Sequence, residues 1–232
     1  MAPSSVLLVS NKNKSAQPRG FTLVEMMVVL AIIAIITSIA VLGQSTFNKG
    51  LVLTDTAYGV AFSARQAQSF GVSSRAFNSV QNTGYGIHVD TGSLTSYIIF
   101  ADTSKVLTAP GNCPTGVVGT PEQKPGNCRY DSAGTTDGIV NRYSFSRGFK
   151  ISSFCGKYGV AKYCSTDASP LTSLDIVFTR PNTSATITGA YSGGNIQQLS
   201  CAEITLSDAL GSATKTVRIS NLGEISIGQS CP

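Results

Sequence analysis

The sequence predicts an α+β fold, in which a long N-terminal transmembrane helix forms a spine and packs on a C-terminal antiparallel β-sheet domain. Two observations lead to this prediction. Residues 21–42 form an apolar run with a single charge, and a helix of that length crosses the roughly 30 Å hydrocarbon core of a bilayer. Residues 72–232 contain short runs of alternating polar and apolar residues between turn residues, which is typical of half-buried strands.

The single charge in the apolar run is Glu25. A carboxylate inside a membrane costs on the order of 3 kcal/mol, so such a residue is either functional or placed near the membrane edge. At the edge it would extend to the interface or become protonated. No Lys or Arg lies between Gly20 and Lys49. A cationic partner must therefore be a new amino terminus or belong to a neighbouring chain, because buried charges are tolerated when they are paired.

The residues before the run are Arg19-Gly20-Phe21-Thr22-Leu23-Val24-Glu25. This heptapeptide resembles the processing site of type IV prepilins and pseudopilins. The resemblance implies that a membrane peptidase cleaves between Gly20 and Phe21 and methylates the new amine of Phe21. It also implies that Glu25 forms a salt bridge with the amino terminus of an adjacent subunit during filament assembly.

Residues 1–20 are then a leader peptide, cleaved after Gly20. The leader carries Lys12, Lys14 and Arg19 and no acidic residue. Positive charge on this flank predicts that the leader stays in the cytoplasm and the rest of the chain is exported. The expected location is the inner membrane, single-pass, with a periplasmic head, and then a pilus or pseudopilus. The whole chain has net charge +5, and the chain without the leader has net charge +2.

Residues 43–71 are expected to continue the helix as an amphipathic segment, since they lack proline. With residues 21–42 they would form a helix about 75 Å long. At 100° per residue there are two apolar stripes roughly 140° apart. One consists of Leu53, Ala57, Val60, Ala64 and Ala67, and the other of Phe47, Leu51, Tyr58 and Phe62. Two stripes indicate two packing partners, the protein's own head and neighbouring subunits; the alternative is an ordinary buried helix.

Residues 72–232 are expected to form a β-rich globular head. A hairpin is predicted from two runs, 85–90 and 96–101, and further strands are predicted at 173–180, 184–191, 199–207, 213–220 and 223–228. The stretch Phe178-Thr-Arg-Pro181 and the closing Arg218-Ile-Ser-Asn-Leu-Gly-Glu-Ile225 resemble the minor pseudopilin H and minor pilin T/U group. This second resemblance favours a minor over a major pilin.

An irregular insertion is expected at about 105–172, where Pro-Gly-Asn-Cys occurs at 110–113 and again at 125–128. A loop of this length is functional or needs a clamp. Six cysteines outside the apolar run suggest disulfides in an oxidising compartment. They allow fifteen connectivities, of which we favour pairing of sequence neighbours: Cys113–Cys128, Cys155–Cys164 and Cys201–Cys231.

Motifs for enzyme chemistry or cofactors are not found, so we expect a protein that is not an enzyme and needs no cofactor. The single histidine, His88, has no obvious nucleophile or orienting group beside it, and nothing marks Asp175 and Glu203 as a catalytic pair. The cysteine spacing does not match a zinc site. Calcium near Asp131, Asp137 or Asp167 lacks the twelve-residue loop pattern, so no metal is expected.

A nucleic-acid contact is the weakest candidate site. Basic residues interleave with aromatic ones between 142 and 163, and the basic members are Arg142, Arg147, Lys150, Lys157 and Lys162. A clustered basic face would indicate DNA binding, whereas a scattered arrangement is an ordinary solvated surface.

These expectations describe a structural minor subunit of a type IV pilus, which primes, caps or decorates the filament. Its expected partners are other pilin subunits, the prepilin peptidase and methyltransferase, the inner-membrane assembly platform and membrane lipid. Two alternatives remain. One is a minor pseudopilin of a type II secretion system, which neighbouring genes would distinguish. The other is a binding module or enzyme tethered by an uncleaved helix, which an intact leader would favour.

Overall fold

The structure, a computed structural model, describes residues 20–73, 75–104, 113, 126–132, 137–146 and 148–232, without the side chains of 42–48. The described residues form one α-helix and eleven β-strands. These are α1 (Leu23–Val72), β1 (Gly84–Asp90), β2 (Ser96–Asp102), β3 (Gly138–Ser144), β4 (Lys150–Tyr158), β5 (Ala161–Cys164), β6 (Leu171–Phe178), β7 (Ala185–Tyr191), β8 (Ile196–Leu199), β9 (Cys201–Ser207), β10 (Thr214–Ser220) and β11 (Ile225–Ile227). The predicted α+β class is confirmed.

The chain divides into two units, Met1–Ser45 and Thr46–Pro232. In the first unit, Leu23–Val41 is a helical stretch whose length and composition suit a membrane span. Its side chains are all exposed, as expected for a surface that faces lipid or other helices. The second unit contains the rest of α1 and all the described strands, and is called the head below. The leader lies outside the described residues, except for Gly20.

One sheet of the head has six strands in the order β3-β2-β1-β6-β7-β8, all antiparallel. The predicted hairpin forms β1 and β2, and two predicted strands form β6 and β7. Because successive strand residues face opposite sides of a sheet, the register places one buried row on the inner face: Ile99, Ile87, Ile176, Ile187 and Leu199.

The second sheet has five antiparallel strands in the order β11-β10-β9-β4-β5. Its register aligns another apolar row, Phe154, Ile204, Val217 and Ile227. Both rows and the buried residues of α1 belong to one hydrophobic core. This shared core explains how two sheets with half-apolar strands become stable, since each supplies the apolar face that the other needs.

The expectation of an irregular insertion over 105–172 is wrong for 138–164, where β3, β4 and β5 lie. Ser152, Ser153, Gly156 and Lys157 interrupt any alternating pattern in β4, so the local sequence gives only a weak strand signal there. Pairing with β9 overrides that weak local preference, as tertiary contacts do for strands generally. Most of 105–125 lies outside the described residues.

The helical part of the head is fastened to the strands by polar as well as apolar contacts. Ser63 Oγ lies 2.9 Å from Tyr97 Oη in β2. The Gln68 side-chain amide donates to the carbonyls of Thr183 and Gly223 at 2.9 and 3.1 Å. At Gly71 a Cβ would overlap the carbonyl of Phe178, so glycine permits the end of α1 to approach β6.

Candidate assembly site

Helix α1 begins at Leu23, so only Thr22 separates it from the Gly20-Phe21 peptide bond. Thr22 Oγ1 accepts a hydrogen bond of 3.2 Å from the backbone N–H of Glu25, so Thr22 is the N-cap of α1 and Glu25 is the third helical residue. This is the Thr-x-x-Glu pattern of a capping box. The carboxylate also lies in the first turn, where the helix dipole favours negative charge. Gly20 and Phe21 are exposed and precede the helix.

The polar groups of the apolar run differ in how they are satisfied. The hydroxyls of Thr37 and Ser38 donate to carbonyls one turn earlier, at 2.8 Å to Ile33 and 2.7 Å to Ala34, which removes free donors from an apolar surface. The Glu25 carboxylate has no ion-pair or hydrogen-bond partner among the residues that the structure describes. Within this chain the acid is exposed and uncompensated.

In the head, the two apolar stripes of α1 have different environments. Leu53, Ala57, Val60, Ala64 and Ala67 are at most 1% exposed and belong to the core. Members of the other stripe remain open: Leu51 is 54% exposed, Tyr58 61% and Phe62 69%. Phe47 lies among the side chains that are not described. The helix therefore has one face satisfied by its own sheets and one large apolar face without a cover among the described residues.

A depression of about 370 Å³ adjoins this open face. It is lined by Tyr58, Phe62 and Arg65 of α1 and by Ile225, Ser226 and Ile227 of β11. Since β11 is the outer strand of its sheet, the open face continues from the helix to a sheet edge. Such an exposed apolar surface is typical of a protein interaction site.

The start of the chain also matches a known family. Residues 16–41 match the family model of the prokaryotic N-terminal methylation motif. The chain carries a prepilin-type methylation motif. This motif is the hallmark of type IV pilin and pseudopilin precursors, and it indicates a prepilin-peptidase substrate that assembles with other pilins. Neither a curated protein nor a solved structure matches the chain significantly.

The motif and the apolar helix together indicate a membrane-anchored, single-pass, pilin-like protein. Proteins with this motif have structural rather than enzymatic roles. The match covers Gly20, Phe21 and Glu25 and the apolar helical stretch Leu23–Val41. The match does not extend into the head.

Three disulfides clamp the head. They join Cys113 to Cys128, Cys155 to Cys164 and Cys201 to Cys231, which are the sequence-neighbour pairs. The second links directly opposite residues of β4 and β5, and the third ties the segment after β11 to β9. The disulfides therefore brace a hairpin and the carboxyl-terminal segment as well as the second Pro-Gly-Asn-Cys turn.

His88 has two acidic neighbours that the sequence analysis did not connect with it. Its Nδ1 lies 2.7 Å from Asp175 Oδ1, and its Nε2 lies 3.1 Å from Asp90 Oδ2. Burial lowers the pKa of His88, but attraction to and hydrogen bonds with Asp175 and Asp90 outweigh it and raise the pKa to about 9. An imidazolium with both nitrogens engaged offers no lone pair to a substrate, so the arrangement suits a structural charge cluster rather than a general base.

A second group of buried acidic side chains surrounds the segment Gly126-Asn127-Cys128. Asp102 accepts the backbone N–H groups of Asn127 and Cys128 at 3.0 and 2.7 Å. Asp137 accepts three more at 2.8 Å, from Thr103, Ser104 and Asp131. Burial raises the pKa of Asp102 and raises that of Asp137 to about 6. These carboxylates organise loop backbone, a role that no motif in the sequence signalled.

The side chains in this region are poorly suited to bind a metal ion. In the described part of the chain, the clustered groups with ligand chemistry are Asp102, Cys113 and Cys128. Because the two sulfurs are joined to each other, neither is a thiolate that could bind a metal. The other proposed calcium residue, Asp167, accepts the Cys164 N–H at 2.6 Å.

The basic residues do not converge on one sheet. Arg142 lies on β3 of the six-stranded sheet, whereas Lys150, Lys157 and Lys162 lie on β4 and β5 of the other sheet. Lys162 Nζ is 2.6 Å from Glu203 Oε2, and Arg147 lies outside the described residues. Of the interleaved aromatic residues, Tyr143 and Phe145 contact Tyr97, and Phe149 is buried. DNA contact by this stretch stays a prediction.

Proposed function

We propose that this pilin-like chain is a structural minor subunit of a type IV pilus and that it primes, caps or decorates the filament. The observation that supports this proposal most is a methylation motif placed at the start of an exposed apolar helical stretch whose single acid, Glu25, has no partner among the residues that the structure describes. The disulfide-braced head would be exported and exposed, while the helix inserts among the helices of other subunits.

Cleavage after Gly20 is the first step of this proposal. A Cβ at Gly20 would meet no atom of the described residues within 4 Å, so packing in the described part of the chain gives no reason for glycine there. The peptide is exposed and precedes the helix, as a protease requires when it binds extended, uncrowded backbone. A processing enzyme explains the residue better than packing does.

The test is mass spectrometry of the amino terminus of the native protein. We expect a chain that starts at Phe21 and carries one added methyl group. Gly20→Leu should leave the leader attached, because a side chain would block the peptidase site. Gly59→Leu is a matched control, since a Cβ at Gly59 also meets open space, and it should be processed normally. A normally shortened Gly20→Leu product would contradict the proposal.

Pairing of Glu25 with the new amine of a neighbouring subunit is the second step. An uncompensated carboxylate in an apolar layer is costly, and an opposite charge in the same layer removes that cost. The capping bond from Glu25 N to Thr22 Oγ1 fixes the acid in the first helical turn. It therefore lies close to its own amino terminus along the chain and at the corresponding level in neighbouring subunits.

We expect Glu25→Val to be cleaved normally but to enter filaments at a level at least several-fold below that of wild type, because the amine loses its partner. The measurement is the ratio of subunit in sheared filaments to subunit in membranes. Thr37→Val serves as the control, since it also removes a polar group from the apolar run but one already bonded within its helix. Equal filament occupancy of Glu25→Val and wild type would count against charge pairing.

The choice of pilus over secretion pseudopilus has its own test. A strain lacking this chain should lose or shorten its surface pili and retain export of secreted enzymes. Normal piliation together with a block in protein secretion would reject the pilus assignment and favour the pseudopilin.

A further inference from the structure

A second depression of the head, of about 590 Å³, lies where an outer strand of one sheet meets an outer strand of the other. Tyr163 of β5 lines one side. The other lining residues follow β5 or belong to the β7–β8 hairpin, and they include Tyr191, Asn195 and Gln197. The volume falls within the roughly 300–1,000 Å³ range of small-ligand sites. None of the assembly features described above uses this surface.

The walls are held by a ring contact, one side-chain hydrogen bond and backbone hydrogen bonds, which leave other polar groups of the lining unused. The rings of Tyr163 and Tyr191 are 5.5 Å apart and nearly perpendicular, at 88°. Tyr191 Oη lies 3.0 Å from Gln197 Oε1, which orients both side chains. The hairpin turn is closed by backbone bonds, from Tyr191 N to Asn195 O and from Gly194 N to Tyr191 O, each 2.9 Å. The Asn195 side chain therefore takes no part in holding the turn.

Several polar groups remain available to a ligand. Among the described residues, the Tyr163 hydroxyl, the Asn195 amide and the Gln197 amide nitrogen have no hydrogen-bond partner. Hydroxyl and amide groups each offer both donors and acceptors. Together with two partly exposed aromatic rings, they make a surface that is polar, neutral and partly flat.

We propose that this depression, the tyrosine depression, binds a neutral saccharide. The lining contains no Lys, Arg, His, Asp or Glu, so it offers no charge to hold a phosphate, a sialic acid or an amine. A sugar presents neighbouring hydroxyls that amides and hydroxyls bind in pairs. It also presents a C–H face that packs on the electron-rich face of an aromatic ring.

An extended peptide is the principal competitor, because β8 ends its sheet and an outer strand can pair with another strand. A peptide would use the backbone of β8, whereas a saccharide would use the side chains of Tyr163, Asn195 and Gln197. Side-chain truncations in the depression therefore distinguish the two ligands.

The test uses the full-length protein in a detergent without a sugar head group, since alkyl glycosides would compete. Four neutral oligosaccharides are screened by saturation-transfer NMR: cellobiose, maltotriose, lactose and chitobiose. Sialyllactose and a random hexapeptide pool are screened in the same way as the alternative ligands. We expect saturable binding of at least one neutral sugar. Tyr163→Ala should weaken it at least tenfold.

Asn195→Ala keeps the fold, because the backbone of Asn195 closes the turn, and it should also weaken binding several-fold. Tyr158→Ala is the matched control, since Tyr158 is an exposed tyrosine of β4 outside the depression, and it should bind as wild type does. The proposal is overturned if no neutral sugar binds, if only the sialylated sugar or the peptide pool binds, or if Tyr163→Ala and Asn195→Ala bind normally.

Discussion

Asp137 joins two separate segments of the head through one buried carboxylate, which accepts N–H groups from 103–104 and from Asp131. Burial raises its pKa from 3.8 to about 6. Between about pH 3.8 and pH 6, Asp137 therefore holds a proton in the folded protein that it has released in the unfolded chain. The stabilising contribution of this proton is fully present below about pH 3.8 and is lost as the pH rises through about 6.

We expect Asp137→Asn to remove this pH dependence. The free energy of unfolding of the full-length protein in detergent should fall less steeply in the variant than in wild type between about pH 4 and pH 7. Urea titrations followed by circular dichroism at several pH values measure the slope. The absolute stability should also fall, since a neutral amide cannot accept three N–H groups as a carboxylate does.

Asp208 provides a control, because its pKa is shifted in the direction opposite to that of Asp137. Hydrogen bonds from the Ser212 hydroxyl and the Ala213 N–H hold the pKa of Asp208 below 3.8, so its contribution is present at neutral pH and is lost as the pH falls. Asp208→Asn should therefore alter the slope below about pH 4 and leave the range above it unchanged. Identical slopes for Asp137→Asn and wild type would contradict the assignment to Asp137.

At the scale of single elements, α1 in the head has two faces with different tasks. Leu53 is 1% exposed and contributes to the core, whereas Leu51, two residues earlier on the other face, is 54% exposed. The two leucines allow one substitution to be compared on both faces.

We expect Leu53→Ala to lower the free energy of unfolding by about 2–5 kcal/mol, because it leaves a cavity in a closed core. Leu51→Ala should change it by no more than about 0.5 kcal/mol. For incorporation of properly folded protein into filaments, we expect Leu51→Ala to have the larger effect of the two variants. It should be incorporated less than wild type, because it removes apolar surface offered to neighbouring subunits. Urea unfolding and filament fractionation measure the two effects. Normal incorporation of Leu51→Ala would show that this face is not an interface.

The helix and some strands of this protein could be predicted from the sequence, and other strands could not. The stripes of α1 and strands such as β6 and β10 were predictable because the period of apolar residues records which side faces the core. β4 and β5 were not, because serines, glycine and lysine break that period in β4, which becomes a strand by pairing with β9, and β5 becomes one by pairing with β4. The contact between His88 and Asp175 depends on the register of strands 87 residues apart, which local pattern does not encode.

For the whole molecule, the motif at 16–41 is a linear signal, so the proposed cleavage after Gly20 and the proposed roles of Phe21 and Glu25 could be predicted from the sequence. The tyrosine depression carried no such signal, because its residues come from β5 and from the β7–β8 hairpin and meet only in the folded head. Linear signals are read by enzymes that meet an extended chain, and surface sites are built by packing.

The three disulfides close loops of different length, with sequence separations of 9, 15 and 30 residues. Restriction of the unfolded chain grows with loop length, and each crosslink is worth roughly 2–4 kcal/mol. We expect the double variant Cys201→Ala/Cys231→Ala to lose more stability than Cys155→Ala/Cys164→Ala. Cys155 and Cys201 are buried to a similar extent, so cavity effects are comparable. Urea midpoints measure the difference, and the reverse order would contradict the loop-length argument.

Each cysteine is bonded to its nearest partner along the chain: the first with the second, the third with the fourth and the fifth with the sixth. If the head is exported as proposed, beginning with its own amino-terminal end, the thiols arrive in that same sequence. An oxidase that couples every newly arrived thiol to its predecessor would produce the native pattern without any reshuffling, which is the slow, catalysed stage of oxidative folding. Maturation of this head should thus depend on a dithiol oxidase and tolerate the loss of a disulfide isomerase.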